Sequence, residues 1–197
     1  MLQNIDHEFA AGKIHGVFGI NGSGKTMLLR LIAGLLIPDT GKVVVNGVEL
    51  GKDVDFAPQT GIIIENTDFF NQLTGLENLA YLAKIQQVAQ REDMVSALTT
   101  VGLTLAQQSM QVKEYSLGMR QKLAIAQAIF EHPQVLLLDE PTNALDDVSV
   151  RRLQEYLINF AHAGGTVIIV SHAKQDILPI CDEVLTMTAG KLQIVCD

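Results

Sequence analysis

The first chemically suggestive segment is residues 19–26, Gly-Ile-Asn-Gly-Ser-Gly-Lys-Thr, a glycine-rich run that ends in a lysine and a hydroxyl residue. Because Gly22 and Gly24 have no Cβ, their backbone can adopt dihedral angles closed to other residues and can approach a phosphate closely. The amide groups of such a loop point inward and meet an anion at the N-terminus of the following helix. The spacing therefore predicts a loop that binds nucleotide phosphates.

Two side chains of this loop suit further tasks. Lys25 carries a mobile ammonium group that can reach the β- and γ-phosphates, so we assign it to both binding and catalysis. The hydroxyl of Thr26 is a suitable ligand for Mg²⁺, whose other ligands are mostly water and phosphate oxygens. A glycine-rich turn that binds nothing is the alternative, and the complete pattern between a predicted strand and a predicted helix disfavours it. The predicted phosphate-binding residues are Asn21, Gly22, Ser23, Gly24, Lys25 and Thr26.

A pair of carboxylates ends the apolar run Val-Leu-Leu-Leu-Asp-Glu at residues 135–140. In open parallel sheets, ligands bind at the carboxyl ends of the strands. Asp139 is therefore placed to hold the Mg²⁺ shell. Glu140 can accept a proton from the attacking water or orient it, which is typically worth about 10²–10⁴-fold in rate. Acidic residues after a strand are often merely solvated, but a phosphate loop in the same chain favours the catalytic interpretation.

Short apolar runs alternate with amphipathic stretches, which predicts an α/β fold with a mostly parallel sheet flanked by helices. Asn46-Gly47 is a strong hairpin signal and indicates an antiparallel β part. Further strands are predicted at residues 14–20, 42–47, 61–65, 135–140 and 166–172, with a closing hairpin around Gly190. Helices are predicted over residues 24–36, 76–103, 116–130 and 148–165. We predict one domain over residues 1–197, with an α/β core (1–71 and 114–197) and an inserted helical subdomain (72–113).

Composition narrows the class of protein. The 197 residues carry a formal net charge of −8, which disfavours nucleic-acid binding as the main task. Cys181 and Cys196 have no metal-ligand spacing and fit a reducing compartment. The most apolar run, residues 28–37, is shorter than the about 20 residues of a membrane span, and the N-terminus lacks the apolar region of a signal peptide. We expect no transmembrane segment, so a role at a membrane needs a partner.

Another motif, Tyr-Ser-Leu-Gly-Met at residues 115–119, opens a predicted helix, for which Ser116 is a good N-cap. Ala-Leu-Asp at 144–146 follows the carboxylate pair, and Ser-His at 171–172 follows the next apolar strand. The order of these motifs resembles the ATP-binding subunits of ABC transporters, and the resemblance covers almost the whole chain. In that family the motifs are the Walker A loop, the signature, Walker B, the D-loop and the switch histidine.

The resemblance implies a head-to-tail dimer that holds two molecules of ATP, with Mg²⁺, between its subunits. Ser116 and Gly118 would contact the γ-phosphate held by the other subunit, and Asp146 would lie at the interface and couple the two sites. His172 would reach the γ-phosphate and the catalytic water. The implied partners are a second ATP-binding subunit, expected to be an identical copy, and an integral membrane transporter subunit. These place the chain at the cytoplasmic face of the membrane.

The chain departs from the family pattern in two motifs. The signature is usually Ser-Gly-Gly-Gln, whereas here Leu117 lacks glycine's dihedral freedom and Met119 lacks an amide. Nine residues before Thr74, where the family has glutamine, stands Glu65. Both departures are similar to the bacitracin- and lantibiotic-type peptide exporters. As a charged oxygen ligand Glu65 can bind Mg²⁺, and we hypothesise that it senses Mg-ATP and relays this to the membrane partner.

The family also has an early strand and an aromatic residue that stacks on adenine. Only eighteen residues precede Gly19, and Phe9 falls where a strand is expected. Either the start is shortened or adenine is held more weakly. In the second case, loss of base–aromatic stacking, which is worth about 1–3 kcal/mol, would lower ATP affinity tenfold or more and relax base selectivity.

The leading hypothesis is an ATPase subunit of a separate membrane transporter that exports, or protects against, a peptide antibiotic. One alternative is a soluble ABC ATPase of DNA repair or translation. Another is a small-molecule or nucleotide kinase, but a kinase would not explain the signature, the D-loop or the histidine. A transport ATPase must present a groove to its membrane partner. Exposure of Phe69, Phe70, Leu73 and Leu76 would support the leading hypothesis, and full burial of all four would weaken it.

Overall fold

The computed structural model describes residues 2–65, 67–172 and 174–195. In these ranges one six-stranded sheet consists of β1 Ile14–Phe18, β4 Thr60–Ile63, β5 Val135–Asp139, β6 Thr166–Ser171, β7 Glu183–Thr188 and β8 Lys191–Ile194. The order of the strands in the sheet is β4-β5-β6-β1-β7-β8. Neighbouring strands from β4 to β7 are parallel, and β8 runs antiparallel to β7. The predicted mostly parallel α/β fold is confirmed.

Helices and a small hairpin complete the described chain. β2 Val44–Val45 and β3 Val48–Glu49 form the predicted hairpin, in which Asn46 and Gly47 have positive φ angles of 50° and 80°, as its two-residue turn requires. The helices are α1 Lys25–Ala33, α2 Gly75–Gln86, α3 Arg91–Thr100, α4 Leu105–Gln108, α5 Leu117–Ile129, α6 Asp147–His162 and α7 Lys174–Ile177. Single 3₁₀ turns occupy Val112–Glu114 and Leu178–Ile180.

The sheet separates two apolar clusters because successive residues of a strand point to opposite faces. Leu136 and Leu138 of β5 belong to one cluster, together with buried residues of α5 and α6. Leu137 of the same strand belongs to the other cluster, with Leu29 of α1. This two-sided burial explains why β5 and β6 are continuous apolar runs instead of alternating ones.

The segment between β4 and α5 contains α2, α3 and α4. Local capping fixes where these helices begin. Thr74 accepts a hydrogen bond from the amide of Glu77 while the Glu77 carboxylate accepts one from the amide of Thr74, which is a capping box. The buried Leu79 and Leu98 share a cluster with Leu136 of the sheet. The helical block therefore packs on the α/β core without a separate core, and its description as a subdomain stays a prediction.

Three expectations about the remaining chain have outcomes. Residues 2–10 form neither strand nor helix, so the prediction of a strand around Phe9 is wrong. The Phe9 ring instead lies edge-on to the rings of His7 and His15. Within the described ranges no helix is both long and apolar enough to cross a bilayer. Burial, with a smaller contribution from the charge of Asp182, raises the pKa of the Cys181 thiol to about 12. Cys196 lies outside the described residues.

Candidate active site

The glycine-rich loop connects β1 to α1, as predicted. A Cβ at Gly19 would collide with the carbonyl oxygen of Met187, so only glycine fits there. Gly22 and Gly24 have φ angles of 77° and 112°, and Gly24 is the N-cap of α1. The amides of the first helical turn have no partner within a helix and carry the positive end of its dipole. The loop therefore presents a strand-to-helix turn suited to an anion.

Two polar side chains of this loop are buried. The hydroxyl of Ser23 has no hydrogen-bond partner among the described residues. Lys25 donates its ammonium hydrogens to the carbonyl oxygens of Gly19, at 2.8 Å, and Ile20, at 3.1 Å. A buried hydroxyl without a partner is costly, so it fits a site where a ligand supplies the missing bond. A phosphate group would match both this hydroxyl and the ammonium.

Asp139 lies at the carboxyl end of β5 and contacts the phosphate loop directly. The hydroxyl of Thr26 donates to Asp139 Oδ2 at 2.7 Å. Burial raises the pKa of the Asp139 carboxyl above its ordinary value; the charges of Glu140 and Glu65 raise it further, while the Thr26 hydroxyl and Lys25 act against this. A hydroxyl beside a crowded carboxylate is a donor set that suits a hard cation such as Mg²⁺.

Glu140 and His172 are brought together across the ends of β5 and β6. His172 Nδ1 lies 2.7 Å from Glu140 Oε1, and the Ser171 hydroxyl donates to Glu140 Oε2 at 2.9 Å. The amide of His172 also donates to the carboxylate, at 2.9 Å from Oε1. Glu140 has a positive φ of 49°, which is uncommon for a residue with a side chain. Three donors thus fix the carboxylate in one orientation, and sequence reasoning had missed Ser171.

Glu65 follows β4 at the same end of the sheet, with a positive φ of 59°. Its Oε1 lies 2.6 Å from Arg30 Nη2, an ion pair that joins the loop after β4 to α1. Because β4 and β5 are parallel neighbours, Glu65 and Asp139 lie at the same end of the sheet. Arg30 was not predicted, because nothing in its position within an apolar helix run distinguishes it from a surface residue.

The signature residues surround the start of α5. Ser116 is the N-cap, and its hydroxyl accepts a hydrogen bond from the amide of Met119 at 3.2 Å. Leu117 is the first residue of α5, so its backbone is helical and does not need glycine's dihedral freedom, and its side chain is 73% exposed. Met119 packs its side chain against the core cluster. The Ser-Leu-Gly-Met form is therefore compatible with a regular helix start.

Gly118 and Asp146 connect the signature to the loop after β5. A Cβ at Gly118 would lie 2.7 Å from the carbonyl oxygen of Ala144, so the helix start and this loop touch. Asp146 is the N-cap of α6, and its Oδ1 accepts from the amide of Ser149 at 2.8 Å, which lowers the pKa of the carboxyl. Among the described residues, no hydrogen bond or ion pair joins Ser116, Gly118 or Asp146 to the phosphate loop.

The strand order, the loop between β1 and α1 and the carboxylates that follow β5 define a P-loop nucleoside triphosphatase fold. A sequence model of the family described as ABC transporter matches residues 2–143. The chain belongs to this family, in its ATP-binding class, as the resemblance indicated.

Three relatives illustrate the range of sequence identity within the family. The chain is 45% identical over 193 residues to an uncharacterized ABC transporter ATP-binding protein, YybJ, of Bacillus subtilis, covering 98% of this chain and 88% of YybJ. It is 35% identical to the bacitracin transport ATP-binding protein BcrA of Enterococcus faecalis, covering 98% of the chain but only 63% of BcrA. It is 30% identical to the lantibiotic transport ATP-binding protein SrtF of Streptococcus pyogenes, covering 98% of this chain and 82% of SrtF. The predicted resemblance to this branch is confirmed.

Among solved structures, the fold matches the ATP-binding cassette MJ0796 in a dimeric post-hydrolysis state bound to ADP and Pi. The TM-score is 0.87 at 21% sequence identity, over all of this chain and 91% of that one. At this identity the match shows the fold alone.

Proposed function

We propose that the chain binds and hydrolyses Mg-ATP and thereby drives a membrane transporter whose cargo is a peptide antibiotic. The main observation in favour of ATP hydrolysis is that the candidate binding and catalytic groups converge at one end of the sheet. There the phosphate loop, the Thr26–Asp139 pair and the fixed Glu140–His172 pair meet at the carboxyl ends of adjacent parallel strands.

The phosphate loop supplies the binding groups. Residues 21–26 wrap the phosphates with their amides, and Lys25 exchanges its bonds to Gly19 and Ile20 for bonds to phosphate oxygens. Thr26 and Asp139 would hold Mg²⁺, with Glu65 as the third candidate oxygen ligand. When bound, Mg²⁺ neutralises charge on the phosphate oxygens.

Glu140 and His172 carry the chemistry. Glu140 accepts a proton from the attacking water or orients it, because three donors hold its carboxylate in place. His172 keeps a 60% exposed side chain, so its ring can also reach a γ-phosphate. Ser171 and His172 orient Glu140, the proposed base, through their hydrogen bonds to its carboxylate.

A second copy of the chain completes the site in this proposal. In the described part of the chain, Ser116, Gly118 and Asp146 share no hydrogen bond or ion pair with the phosphate loop, which is consistent with a role toward the loop of a partner. The N-terminus of the thirteen-residue helix α5 would meet the γ-phosphate there. We propose that Asp146, beside the Gly118–Ala144 contact, couples the two sites.

An exposed apolar surface supports the membrane partner. Phe70 and Tyr81 are 53% and 51% exposed and pack edge-on at 4.9 Å. Ile85 in the last turn of α2 and Val88, two residues after the helix, are also exposed. Phe69, Leu73 and Leu76 are half-buried, so none of the four residues chosen as a test is fully buried. We call Phe70, Tyr81, Ile85 and Val88 the α2 patch. Exposed aromatic groups of this kind mark interaction sites, and we propose that a cytoplasmic helix of the transporter covers it, placing the chain at the membrane's cytoplasmic face.

Co-purification tests the transporter role. The tagged Glu140→Gln variant, isolated in mild detergent from its native cells with Mg-ATP, is expected to bring down one stoichiometric multi-span membrane protein. Tyr81→Ser in the α2 patch should reduce its recovery, whereas Ile37→Ser, at an apolar residue that is 81% exposed outside the patch, should not. Recovery of a soluble partner, or of a homodimer alone in every nucleotide state, would point to a soluble ABC ATPase instead.

A further inference from the structure

A second cluster of ligating side chains lies at the opposite end of β1 from the phosphate loop. It joins His7 of the N-terminal segment, His15 of β1 and Glu183, the first residue of β7. His7 Nε2 is 3.2 Å from Glu183 Oε2, and His15 Nδ1 is 2.6 Å from the same oxygen. Among the described residues, this is the one group of three or more histidine, cysteine or acidic side chains whose ligand atoms all lie within 4.8 Å of one another.

The hydrogen bonds of His15 orient it as a metal ligand would be oriented. His15 Nε2 lies 3.0 Å from the carbonyl oxygen of Ala10, which can only accept, so this nitrogen carries the hydrogen. At 2.6 Å, His15 Nδ1 shares a hydrogen with Glu183 Oε2, and release of that hydrogen on metal binding would leave the Nδ1 lone pair directed to the same place. A histidine that ligates a metal through one nitrogen and donates to a backbone carbonyl through the other is the usual arrangement. His15 is only 1% exposed, so burial and this bond fix its ring.

We propose that His7 Nε2, His15 Nδ1 and the Glu183 carboxylate form a site for a late first-row divalent cation, best suited to Zn²⁺. Zinc–nitrogen bonds of about 2.0–2.1 Å place tetrahedral ligand atoms about 3.4 Å apart. The His7–Glu183 separation of 3.2 Å already matches this. The His15–Glu183 separation of 2.6 Å has to widen by less than about 1 Å, which the Glu183 side chain, 24% exposed, can accommodate.

The donor set excludes the cation of the nucleotide site. Two imidazole nitrogens and one carboxylate suit zinc and its neighbours, whereas Mg²⁺ prefers oxygen ligands throughout. The three ligands leave one tetrahedral position for water. His7 lines a surface cleft with Asp6, Leu185 and Leu192, which gives an ion a route to the cluster.

A cation here would fasten the N-terminal segment to the sheet. Residues 2–10 contain no regular structure, and His7 and Glu183 are 176 positions apart in the sequence. Binding to the folded state alone raises stability as the free ion exceeds its dissociation constant. The predicted effect is therefore structural and independent of nucleotide.

Metal titration of the tag-free full chain, without nucleotide, tests the proposal. Zn²⁺ competition against a chromophoric chelator should give one tight equivalent, and Co²⁺ should give the visible absorption of a tetrahedral site. His7→Ala and Glu183→Gln should weaken Zn²⁺ binding at least about 100-fold, since losing even an outer-shell partner costs about 10–100-fold. The control is His132→Ala, which removes an exposed histidine paired with Asp93 at 3.0 Å.

The ligand variants also separate metal binding from folding. Circular dichroism should show that His7→Ala is folded, because His7 lies in a segment without regular structure, and Zn²⁺ should raise the melting temperature of the wild type but not of this variant. The proposal is overturned if the wild type takes up no equivalent. It is equally overturned if His7→Ala and Glu183→Gln bind as tightly as the wild type, or if His132→Ala removes the equivalent.

Discussion

Replacing Glu140 with glutamine tests the chemistry assigned to the candidate site most directly. The substitution keeps the size of the side chain and removes its capacity as a base. A glutamine oxygen can still accept from the amide of His172, and its NH₂ group can donate to the Ser171 hydroxyl. The local geometry should therefore survive while the proton acceptor is lost.

The magnitudes of the two effects differ enough to be separated. Loss of a positioned base should lower ATP turnover about 10²–10⁴-fold, which corresponds to about 2.7–5.4 kcal/mol in the barrier. The bonds lost at Glu140 are charge-assisted, so exchanging them for neutral ones should cost about 1–2 kcal/mol of stability. In a domain of this size that lowers the melting temperature by about 2–8 °C.

The assay measures phosphate release under saturating Mg-ATP, together with nucleotide affinity and thermal unfolding of the same preparation. Turnover should collapse while ATP affinity changes little. Ser171→Ala serves as the matched variant, since it removes one orienting donor and leaves the carboxylate in place, and it should lose less activity than Glu140→Gln. The reasoning is refuted if Glu140→Gln, folded and saturated with ATP, keeps more than one-tenth of the wild-type rate.

Three further predictions follow from the same contacts. Ser116→Ala removes the cap of α5 and should cost about 1 kcal/mol, seen as a melting temperature about 2–4 °C lower; an unchanged melting temperature contradicts the cap. Arg30→Met and Glu65→Gln each break an exposed ion pair worth about 0–1 kcal/mol, but both should shift the Mg²⁺ dependence of hydrolysis, and no shift in either would remove Glu65 from the metal site. Hydrogen bonds from the amides of Thr74 and Gln90 lower the pKa of Glu77 and Asp93 below their ordinary values of 4.5 and 3.8. The two carboxylates therefore stabilise the fold at a pH above these values, and this stabilisation is lost as the pH falls further. The melting temperature measured from pH 7 to 3 should fall accordingly, and it should fall less steeply in Glu77→Gln.

Much of this fold could be predicted because its signals are local. The apolar runs of β5 and β6, the Asn46-Gly47 turn and the glycine pattern of the phosphate loop each depend on a few neighbouring residues. The cap at Ser116 was predicted for the same reason. Strand, turn and cap preferences are properties of short segments, and here tertiary packing agrees with them.

The contacts that shape the site were less accessible from sequence. Arg30 of α1 forms an ion pair with Glu65, which follows β4. The two residues are 35 positions apart, so no local sequence pattern predicts this contact. The strand expected near Phe9 fails because a strand needs a neighbour to pair with, and in the described chain residues 2–10 instead place rings against His15. The four-residue helix α4 is too short to produce a periodic signal.

The two hydrogen bonds from Lys25 to its own loop have a consequence for how a ligand would arrive. Lys25 is only 7% exposed, and its ammonium donates to the carbonyl oxygens of Gly19 and Ile20, which links the two ends of the loop. An incoming phosphate then trades places with two carbonyl oxygens instead of dehydrating a hydrated lysine. Part of the cost of ordering Lys25 is therefore incurred when the chain folds and is not charged to ligand binding.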